Sequence, residues 1–320
     1  MRIYRTALLV LAATILALPT ISAAQGDSVK TYLYRAGRAL MSRNYQRAQE
    51  NYEQVLRLDP GNFEATKNLG VVHSAFGDQE KALEYFEKAF MINPADPEIS
   101  NNLGVIHSET GDSEQAIKHF ETAVKLNPKK ALYLMNLGRE YSRIGRISLA
   151  LPKLRESLQL KPNQPTTLFT LGTCHAAADN LDSAEYYFEK SAEAGGSNGQ
   201  LFYFLGSVER KLGKVNEAAE SFLKALTYNP HNIQWLQSLG MLYLSQERYA
   251  EAAEQARRAV AADSSFYPAW ILLGASYALD DKTAQADSVM VRLFSIDSTL
   301  GYRMLETITE EHKKRKARQE

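Results

Sequence analysis

The chain is poor in cysteine, and its charges cancel. It has one cysteine, Cys174, in 320 residues, so a fold held together by disulfides within the chain is excluded. It has 37 basic and 37 acidic side chains, whereas a protein that binds a nucleic acid duplex needs a basic face to displace phosphate counterions. The composition therefore argues against nucleic acid as a partner.

The chain also lacks an apolar run long enough to cross a bilayer as a helix, which takes about 20 residues. The run from 7 to 18 follows Arg2 and Arg5 and precedes small residues at 22–24. This arrangement is typical of a secretory signal. We predict a signal peptide at residues 1–24, followed by a short segment at 25–28.

Removal of residues 1–24 would leave 35 basic and 37 acidic side chains, a formal charge of −2. The mature chain is expected to be exported, to a bacterial periplasm or to the outside of the cell, with no transmembrane span. An uncleaved N-terminal anchor is the alternative. No cysteine lies near the cleavage position, so a lipid anchor is not expected.

Signatures of catalysis are missing as well. No zinc-protease, phosphate-loop or dinucleotide-binding fingerprint occurs,. The segment Gly195-Gly196-Ser197-Asn198-Gly199 matches the G-x-S-x-G pattern of hydrolases. That motif needs a strand before the serine, and here helical patterns lie on both sides. We predict no catalytic residue and no cofactor, and the protein is not expected to be an enzyme.

What the chain does have is internal repetition. A leucine-glycine pair returns at one constant interval, at Leu69-Gly70, Leu103-Gly104, Leu137-Gly138, Leu171-Gly172, Leu205-Gly206, Leu239-Gly240 and Leu273-Gly274. An alanine column keeps the same interval at Ala48, Ala82, Ala116, Ala150, Ala184, Ala218, Ala252 and Ala286. These columns predict eight units at residues 29–62, 63–96, 97–130, 131–164, 165–198, 199–232, 233–266 and 267–300,.

Each unit has the pattern of two helices joined by a turn. In the unit 63–96, helical spacing breaks at Gly77-Asp78 and resumes at Ala82,. Glycine inside a helix costs about 0.5 to 1 kcal/mol relative to alanine, so the recurring glycine indicates close approach of another helix. Phe86, Phe120, Phe188 and Phe222, which share one column, are expected to fill the space between neighbouring hairpins,. One pair cannot bury its own apolar face, so the pairs must stack.

The columns and their interval resemble those of the tetratricopeptide-repeat family. The second unit carries Leu69, Gly70, Ala82, Phe86, Ala89 and Pro94 at the family positions, and the sixth carries Phe202, Leu205, Gly206, Ala218, Phe222, Ala225 and Pro230,. The resemblance implies an all-α, right-handed superhelical solenoid of eight helix-turn-helix repeats. Residues 301–320 are predicted to be a capping helix, through Met304, Leu305 and Ile308, with a basic tail,.

Two residue types could suggest reactive sites. His73, His107 and His175 share one repeat column, but helices two repeats apart are too distant for three histidines to meet, and a structural zinc site takes four ligands. We therefore predict packing and no metal. Cys174 falls in a column of apolar residues and is predicted to be a buried, inert thiol; a reactive or intermolecular thiol is the alternative.

The family resemblance implies that the first helices line a concave groove. Asn68, Asn102 and Asn136 share one groove column in successive repeats. They resemble the asparagine ladder in the repeat domain of O-linked N-acetylglucosamine transferase, where amides hold the main chain of an extended peptide. An amide offers both donor and acceptor, as a peptide group does. The alternative is that these amides bond to neighbouring helices or water.

A second group of groove residues lies further along. Its members are apolar or aromatic at Met135, Phe169 and Tyr203, and basic at Arg139, Arg143, Arg210 and Lys211. Apolar surface beside guanidinium groups suits a segment that mixes acidic and hydrophobic residues, or a free C-terminus. Glu98 and Glu109 give the preceding repeat the opposite sign,. A solvated basic face is the alternative.

The sequence therefore favours a non-enzymatic protein-interaction scaffold of the cell envelope. Its expected partner is a protein or peptide, held as an extended segment with acidic and apolar residues or as a folded domain. Two other functions remain open: a structural subunit of an envelope assembly such as a secretion, pilus or polysaccharide-export machine, and an accessory that holds a glycan for a separate enzyme. Fold-level analogy does not name the partner.

Overall fold

A computed structural model describes residues 23–319, which form helices and turns with no strand. The helices are α1 Ala23–Met41, α2 Tyr45–Leu58, α3 Phe63–Ala75, α4 Gln79–Ile92, α5 Pro97–Glu109, α6 Ser113–Leu126, α7 Ala131–Arg143, α8 Ile147–Leu160, α9 Pro165–Ala177, α10 Leu181–Glu193, α11 Gly199–Lys211, α12 Val215–Tyr228, α13 Ile233–Ser245, α14 Tyr249–Ala262, α15 Tyr267–Leu279, α16 Thr283–Ile296 and α17 Ser298–Gln319. The predicted all-α fold is confirmed.

The helices form consecutive pairs. Within pairs, α3 packs on α4, α5 on α6, α9 on α10, α11 on α12, α13 on α14 and α15 on α16. Contacts between neighbouring pairs include those of α2 with α3, α4 with α5, α10 with α11, α12 with α13 and α14 with α15. From α3 onward, the first helices of the pairs begin at one constant interval, at Phe63, Pro97, Ala131, Pro165, Gly199, Ile233 and Tyr267. This packing of helix pairs agrees with the prediction.

Local sequence explains where the helices begin and end. The Asn62 side chain caps α3 by accepting from the Ala65 amide at 3.0 Å, and Asp96 caps α5 by accepting from Ile99 at 3.1 Å. These caps satisfy amides that have no partner in the first turn. Gly77 and Gly111 end the first helices with φ of 76° and 87°, a left-handed conformation that costs glycine little.

In four pairs, the recurring glycine makes room for a phenylalanine ring from the second helix of the same pair. A Cβ atom on Gly70 would lie 2.7 Å from the Phe86 ring, and one on Gly104 would lie 2.7 Å from Phe120. Both phenylalanines are buried. The phenylalanine thus packs over the glycine of its own pair, while Phe86 also joins an apolar cluster with Ile99 of the next pair. The predicted close approach is confirmed.

The chain divides into two compact units. We call the described residues up to Glu140 the N-terminal unit and those from Tyr141 onward the C-terminal unit. In the C-terminal unit, α17 packs on α15 and α16. Met304 is fully buried against Gly274, and Ile308 packs on the same core, while Leu305 is 39% exposed.

The ends of the chain differ in detail from the predicted boundaries. Helix α1 begins at Ala23, before the predicted start of the repeats at Val29, and α17 begins at Ser298. Residues 1–22, which hold most of the predicted signal peptide, lie outside the described residues. Among the helices that are described, none is both long enough and apolar enough to cross a bilayer.

Candidate functional site

The three asparagines of the predicted ladder lie on the first helices of successive pairs in the N-terminal unit. Asn68 is on α3, Asn102 on α5 and Asn136 on α7. Asn68 and Asn102 are half-buried, and their side chains make no hydrogen bond with another described residue. These two amides are therefore placed to pair with an incoming group.

Asn136 has a different environment. It is 4% exposed, and its Nδ2 donates to Oδ1 of Asn101 at 2.8 Å. Asn101 itself is 5% exposed. The bond links α7 to α5, which is the helix-to-helix arrangement named above as the alternative to peptide binding. Asn136 thus has a partner inside the fold, unlike Asn68 and Asn102.

A cavity of about 200 Å³ opens beside Asn102. Val71 and Val105 supply apolar surface, and Gln79 and Glu109 supply polar groups. The Gln79 Nε2 donates to Glu109 Oε2 at 2.7 Å. This leaves an apolar floor beside amide groups, a combination that suits a peptide main chain with a small apolar side chain.

The other predicted acidic residue of this unit, Glu98, is already paired. It accepts a hydrogen bond from Lys67 at 2.9 Å, and Asp96 lies 3.6 Å from the same ammonium. Burial lowers the pKa of Lys67, but the hydrogen bond and charge of Glu98, together with Asp96, outweigh that effect and raise the pKa above its usual value,. Glu98 therefore does not act as an isolated negative charge.

The predicted aromatic residues of the C-terminal unit are half-buried and pack on other rings. The Phe169 ring centroid lies 5.7 Å from that of Phe188. Tyr203 stacks on Trp235, with centroids 6.0 Å apart and planes at 22°. Met135, which belongs to the N-terminal unit, is only 9% exposed. Tyr203 and Phe169 therefore keep accessible edges, whereas Met135 contributes mainly to packing.

Tyr203 lines a recess in the C-terminal unit. This recess, which we call the Tyr203 pocket, measures about 400 Å³ and is lined by Tyr203, Ser207, Arg210, Phe222, Gln237, Ser238, Met241, Leu242, Ser245, Glu311 and Lys314. Arg210 is exposed and forms no ion pair with another described residue. The pocket thus combines an aromatic wall with an available guanidinium group.

Helix α17 forms one wall of the Tyr203 pocket. Lys314 Nζ lies 2.6 Å from Glu311 Oε1, and Arg315 Nε lies 3.6 Å from Glu247 Oε2, in the turn after α13. The sequence predicted only a cap for this segment and missed its role in the pocket. Gln237 could have been found, because it occupies the column of Tyr203 in the next repeat; no sequence signal pointed to Glu311 or Lys314.

The remaining predicted basic residues are separate from these cavities. Lys211 Nζ lies 3.7 Å from Asp179 Oδ1 and does not line the Tyr203 pocket. Arg139 and Arg143 are exposed on α7 and line neither of the two cavities. The structure therefore brings Tyr203 and Arg210 together in one pocket, which Arg143 and Lys211 of the same unit do not line.

The histidines and the cysteine pack as predicted. His73 stacks on Tyr85, His107 on His119 and His175 on Tyr187, with centroids 5.2 to 5.4 Å apart. Cys174 is fully buried, its Sγ lies 3.2 Å from Ser142 Oγ, and burial raises the pKa of its thiol. Within residues 23–319, no three metal-binding side chains converge. Ser197 lies in the turn between α10 and α11, with no strand before it.

Helix pairs that begin at a constant interval, four of which place a phenylalanine over the glycine of the same pair, define a helical-repeat protein. Two family models, both described as Tetratricopeptide repeat, match this chain, one at residues 34–98, 135–199 and 203–284 and the other at 75–137. The chain belongs to the tetratricopeptide-repeat family. Members of this family are typically non-enzymatic scaffolds that bind proteins or peptides. No curated protein is significantly similar in sequence.

Solved structures of low sequence identity share the fold. The APC/C hetero-tetramer Cut9–Hcn1 matches with a TM-score of 0.61 and 17% identity over 76% of this chain and 52% of that chain, so this protein spans about half of its length. PilW, a widely conserved type IV pilus biogenesis factor, matches with a TM-score of 0.58 and 22% identity over 68% of this chain and 99% of its own. YrrB, a TPR protein with an unusual peptide-binding site, matches with a TM-score of 0.54 and 24% identity over 58% of this chain and 97% of its own.

Proposed function

We propose that this protein is a non-enzymatic interaction module that binds an extended peptide segment carrying an acidic and an apolar residue. The observation that carries the proposal is the Tyr203 pocket, which places an exposed, unpaired Arg210 beside an aromatic wall. A guanidinium group pairs with a carboxylate through two parallel hydrogen bonds, which gives direction as well as affinity. The apolar surface of Tyr203 and Met241 would take the neighbouring side chain.

The N-terminal unit, considered by itself, would recognise the main chain of a peptide segment. The amides of Asn68 and Asn102 are half-buried and free of hydrogen bonds to other described residues. An amide that donates and accepts can hold a peptide group whatever its side chain. We assign Asn136 a smaller part in binding, because its amide already bonds to Asn101.

We also propose that the module works in the cell envelope after export. The basis is the sequence of residues 1–24, with two arginines before a short apolar run and small residues after it,. Fractionation of cells that produce the tagged protein, with N-terminal sequencing of the recovered chain, tests this. An N-terminus near Gln25 in the envelope or medium is expected; an intact Met1 in the cytoplasm would overturn the export proposal.

Photo-crosslinking in cells would identify the partner. A photoreactive residue at Met241, which lines the Tyr203 pocket and is 44% exposed, should form an adduct. The matched control is Met91, which is 84% exposed on α4 and outside the pocket. Mass spectrometry of the Met241 adduct should find an acidic, extended segment. An adduct of equal yield at both positions would contradict the proposed site.

A peptide made from that segment would then test the pocket chemistry. Arg210→Ala should weaken binding about tenfold or more, because a hydrogen bond to a charged group contributes about 1.5–3 kcal/mol. Lys211→Ala is the matched control, since the neighbouring charge pairs with Asp179 outside the pocket. Calorimetry should separate the two variants. Equal affinities for Arg210→Ala and the parent chain would rule out the carboxylate contact.

The main-chain contact has its own test. Asn102→Ala should weaken binding of a peptide segment captured at the cavity beside Asn102 by about 1 kcal/mol, the net value of one hydrogen bond,. It should leave the melting temperature nearly unchanged, because the Asn102 side chain bonds to no other described residue. Unaltered affinity in calorimetry would remove the asparagine column from the binding surface.

A structural subunit of an envelope assembly is the second candidate function. Lys313 and Lys316 on α17 are exposed and form no ion pair with another described residue, so they could contact an acidic neighbour. Deleting α17 would expose the core around Met304. Lys313→Glu with Lys316→Glu is therefore the better test: loss of co-purification with unchanged peptide affinity would favour assembly through the tail.

A further inference from the structure

A second cavity in the C-terminal unit has an unusual concentration of carboxylates. It measures about 420 Å³ and lies among α10, α11 and α12. Its charged lining residues are Glu189, Glu193, Glu209, Glu217, Glu220 and Lys224. None of them lines the Tyr203 pocket. Lys224 and Lys190, which pairs with Glu193 at 2.5 Å, offset two of the five carboxylates, so this cavity, which we call the acidic cavity, keeps a net negative charge.

Glu209 is the buried member of the acidic cavity. It is 6% exposed, and its Oε2 has no hydrogen-bond partner among the described residues. The other four glutamates are exposed. A buried acceptor without a partner is costly to a fold and is rare in native proteins. This atom therefore points to a donor that is absent from the chain itself.

Comparison with the preceding repeat explains how the acidic cavity arises. Glu209 occupies the column of His175 one repeat later, and Ser221 occupies the column of Tyr187 in the same way. In the preceding repeat, His175 and Tyr187 stack with centroids 5.2 Å apart. At the equivalent place in this repeat, a carboxylate and a hydroxyl replace two rings, which removes the stacked pair and leaves room.

The local electrostatics oppose an unpaired charge here. Burial is the main effect that raises the pKa of Glu209, and the charges of Glu185, Glu189 and Glu217 add to it, while the Ser221 hydroxyl lowers it,. Glu185 is partly neutralised by Lys214, whose Nζ lies 2.5 Å from its Oε2. A bound cation would relieve both the burial and the repulsion among the carboxylates.

The shape and lining favour an organic cation over a metal ion. No three metal-binding side chains converge within the described residues. The 420 Å³ volume far exceeds what an ion with a few waters of about 30 Å³ each would fill,. One wall is the Phe202 ring, which stacks on Tyr228 at 5.9 Å and already holds the Lys224 ammonium 4.2 Å from its centroid. An aromatic face of this kind attracts a guanidinium group.

We propose that the acidic cavity binds an arginine side chain from a basic segment of a partner protein, with Glu209 accepting the guanidinium hydrogen bonds and Phe202 stacking on its face. The exposed Glu217 and Glu220 at the opening would attract the basic segment. This interaction is independent of peptide binding at the Tyr203 pocket, and either could fail without the other. Lys224 would act as a competing internal cation that the incoming arginine displaces.

A labelled peptide of glycine, serine and three arginines is the probe, and the same peptide with citrulline, which is neutral but similar in shape, is its control. Fluorescence anisotropy should show saturable binding of the arginine peptide and at least tenfold weaker binding of the citrulline peptide. Glu209→Gln should weaken the arginine peptide at least tenfold. Glu87→Gln, at an exposed glutamate on α4, removes the same charge and should have no effect.

Lys224→Gln provides a test that misfolding cannot mimic. It removes the competing ammonium group, so it should strengthen binding of the arginine peptide several-fold, which misfolding does not produce. Equal binding of the two peptides, or unchanged affinity in Glu209→Gln, would overturn the proposal. Saturable calcium binding in calorimetry that disappears in Glu209→Gln would replace the arginine with a metal ion and would overturn it as well.

Discussion

The two units are built on the same helix pair but place different chemistry on it. In the N-terminal unit, Phe120 packs over Gly104, and in the C-terminal unit Phe188 packs over Gly172 at nearly the same distance. The histidine column stacks on aromatic rings in both units, but it is replaced in one repeat of the C-terminal unit by Glu209. The contact between glycine and phenylalanine is the same in both units, whereas the side chains of the histidine column differ from repeat to repeat.

The first-helix columns differ in the same way. The N-terminal unit has asparagines there, one of which is bonded inside the fold. The C-terminal unit has aromatic rings and an exposed arginine, with α17 as an added wall. The same helix pair therefore carries amide groups in one unit and aromatic rings in the other, and the rings of Phe169 and Tyr203 pack on the buried phenylalanines Phe188 and Phe222.

The largest expected effect tests whether the buried phenylalanine contributes equally to the stability of both units. Phe120→Ala and Phe222→Ala each remove a fully buried ring and should each cost about 3–5 kcal/mol of stability. Urea unfolding followed by circular dichroism measures the loss. A large loss in one unit and almost none in the other would show that the two units do not depend on the same contact.

An intermediate effect separates the asparagines from one another. Asn136→Ala should lower stability by about 1–3 kcal/mol, because it leaves the buried Asn101 amide without its partner,. Asn102→Ala is the matched control within the same column and should be close to neutral in the same melting experiment. If both variants melted like the parent chain, the Asn101–Asn136 bond would contribute nothing to the fold.

The smallest effect is a difference in pH dependence. Burial, followed by the charge of His107 and that of Lys118, lowers the pKa of His119 below its usual 6.5. The folded N-terminal unit therefore binds fewer protons than the unfolded chain, so its stability should fall as pH drops below about 6.5. In the C-terminal unit, the raised pKa of Glu209 acts in the opposite direction: stability should fall as pH rises above about 4.5, the usual value for glutamate,.

Hydrogen exchange measured by mass spectrometry at pH values from 4 to 7.5 resolves the two units. His119→Tyr introduces the residue found at the same column in Tyr85 and Tyr187. In the N-terminal unit, this variant should lose less of its amide protection against exchange when the pH is lowered. Glu209→Gln should reduce the loss on alkalinisation in the C-terminal unit. Because burial also lowers the pKa of His175, the comparison must be between each variant and its parent. If each variant showed the same change of amide protection with pH as the parent chain, His119 and Glu209 would not be the groups responsible.

Much of the fold could be predicted from the sequence, because the repeat is strictly periodic. The glycine column predicted close helix contacts, and a Cβ at Gly70 would indeed collide with Phe86. The histidine column predicted packing, and each histidine stacks on a ring from the second helix of its own pair. Local periodicity suffices here since each repeat contacts mainly its neighbours in the chain.

The candidate site was predicted less completely. Tyr203 and Arg210 do line one pocket, but Lys211, the very next residue, pairs with Asp179 outside it. A column assigns a side chain to a helix face, yet the contacts of a long side chain depend on what lies opposite. The acidic cavity was also missed, because Glu209 reads as an ordinary charged residue until its burial is known.

The sequence by itself determined the interval at which the helix pairs return, the pairing of each helix with its neighbour, and the burial of the phenylalanine and alanine columns. These features depend on spacing within a single repeat, which the chain copies without insertion from 29 to 300. The tertiary structure alone decided which asparagine is bonded internally, that α17 closes the Tyr203 pocket, and that the Glu209 carboxylate is left without a donor. Those features depend on side chains that meet across different helices, and spacing along one chain does not specify them.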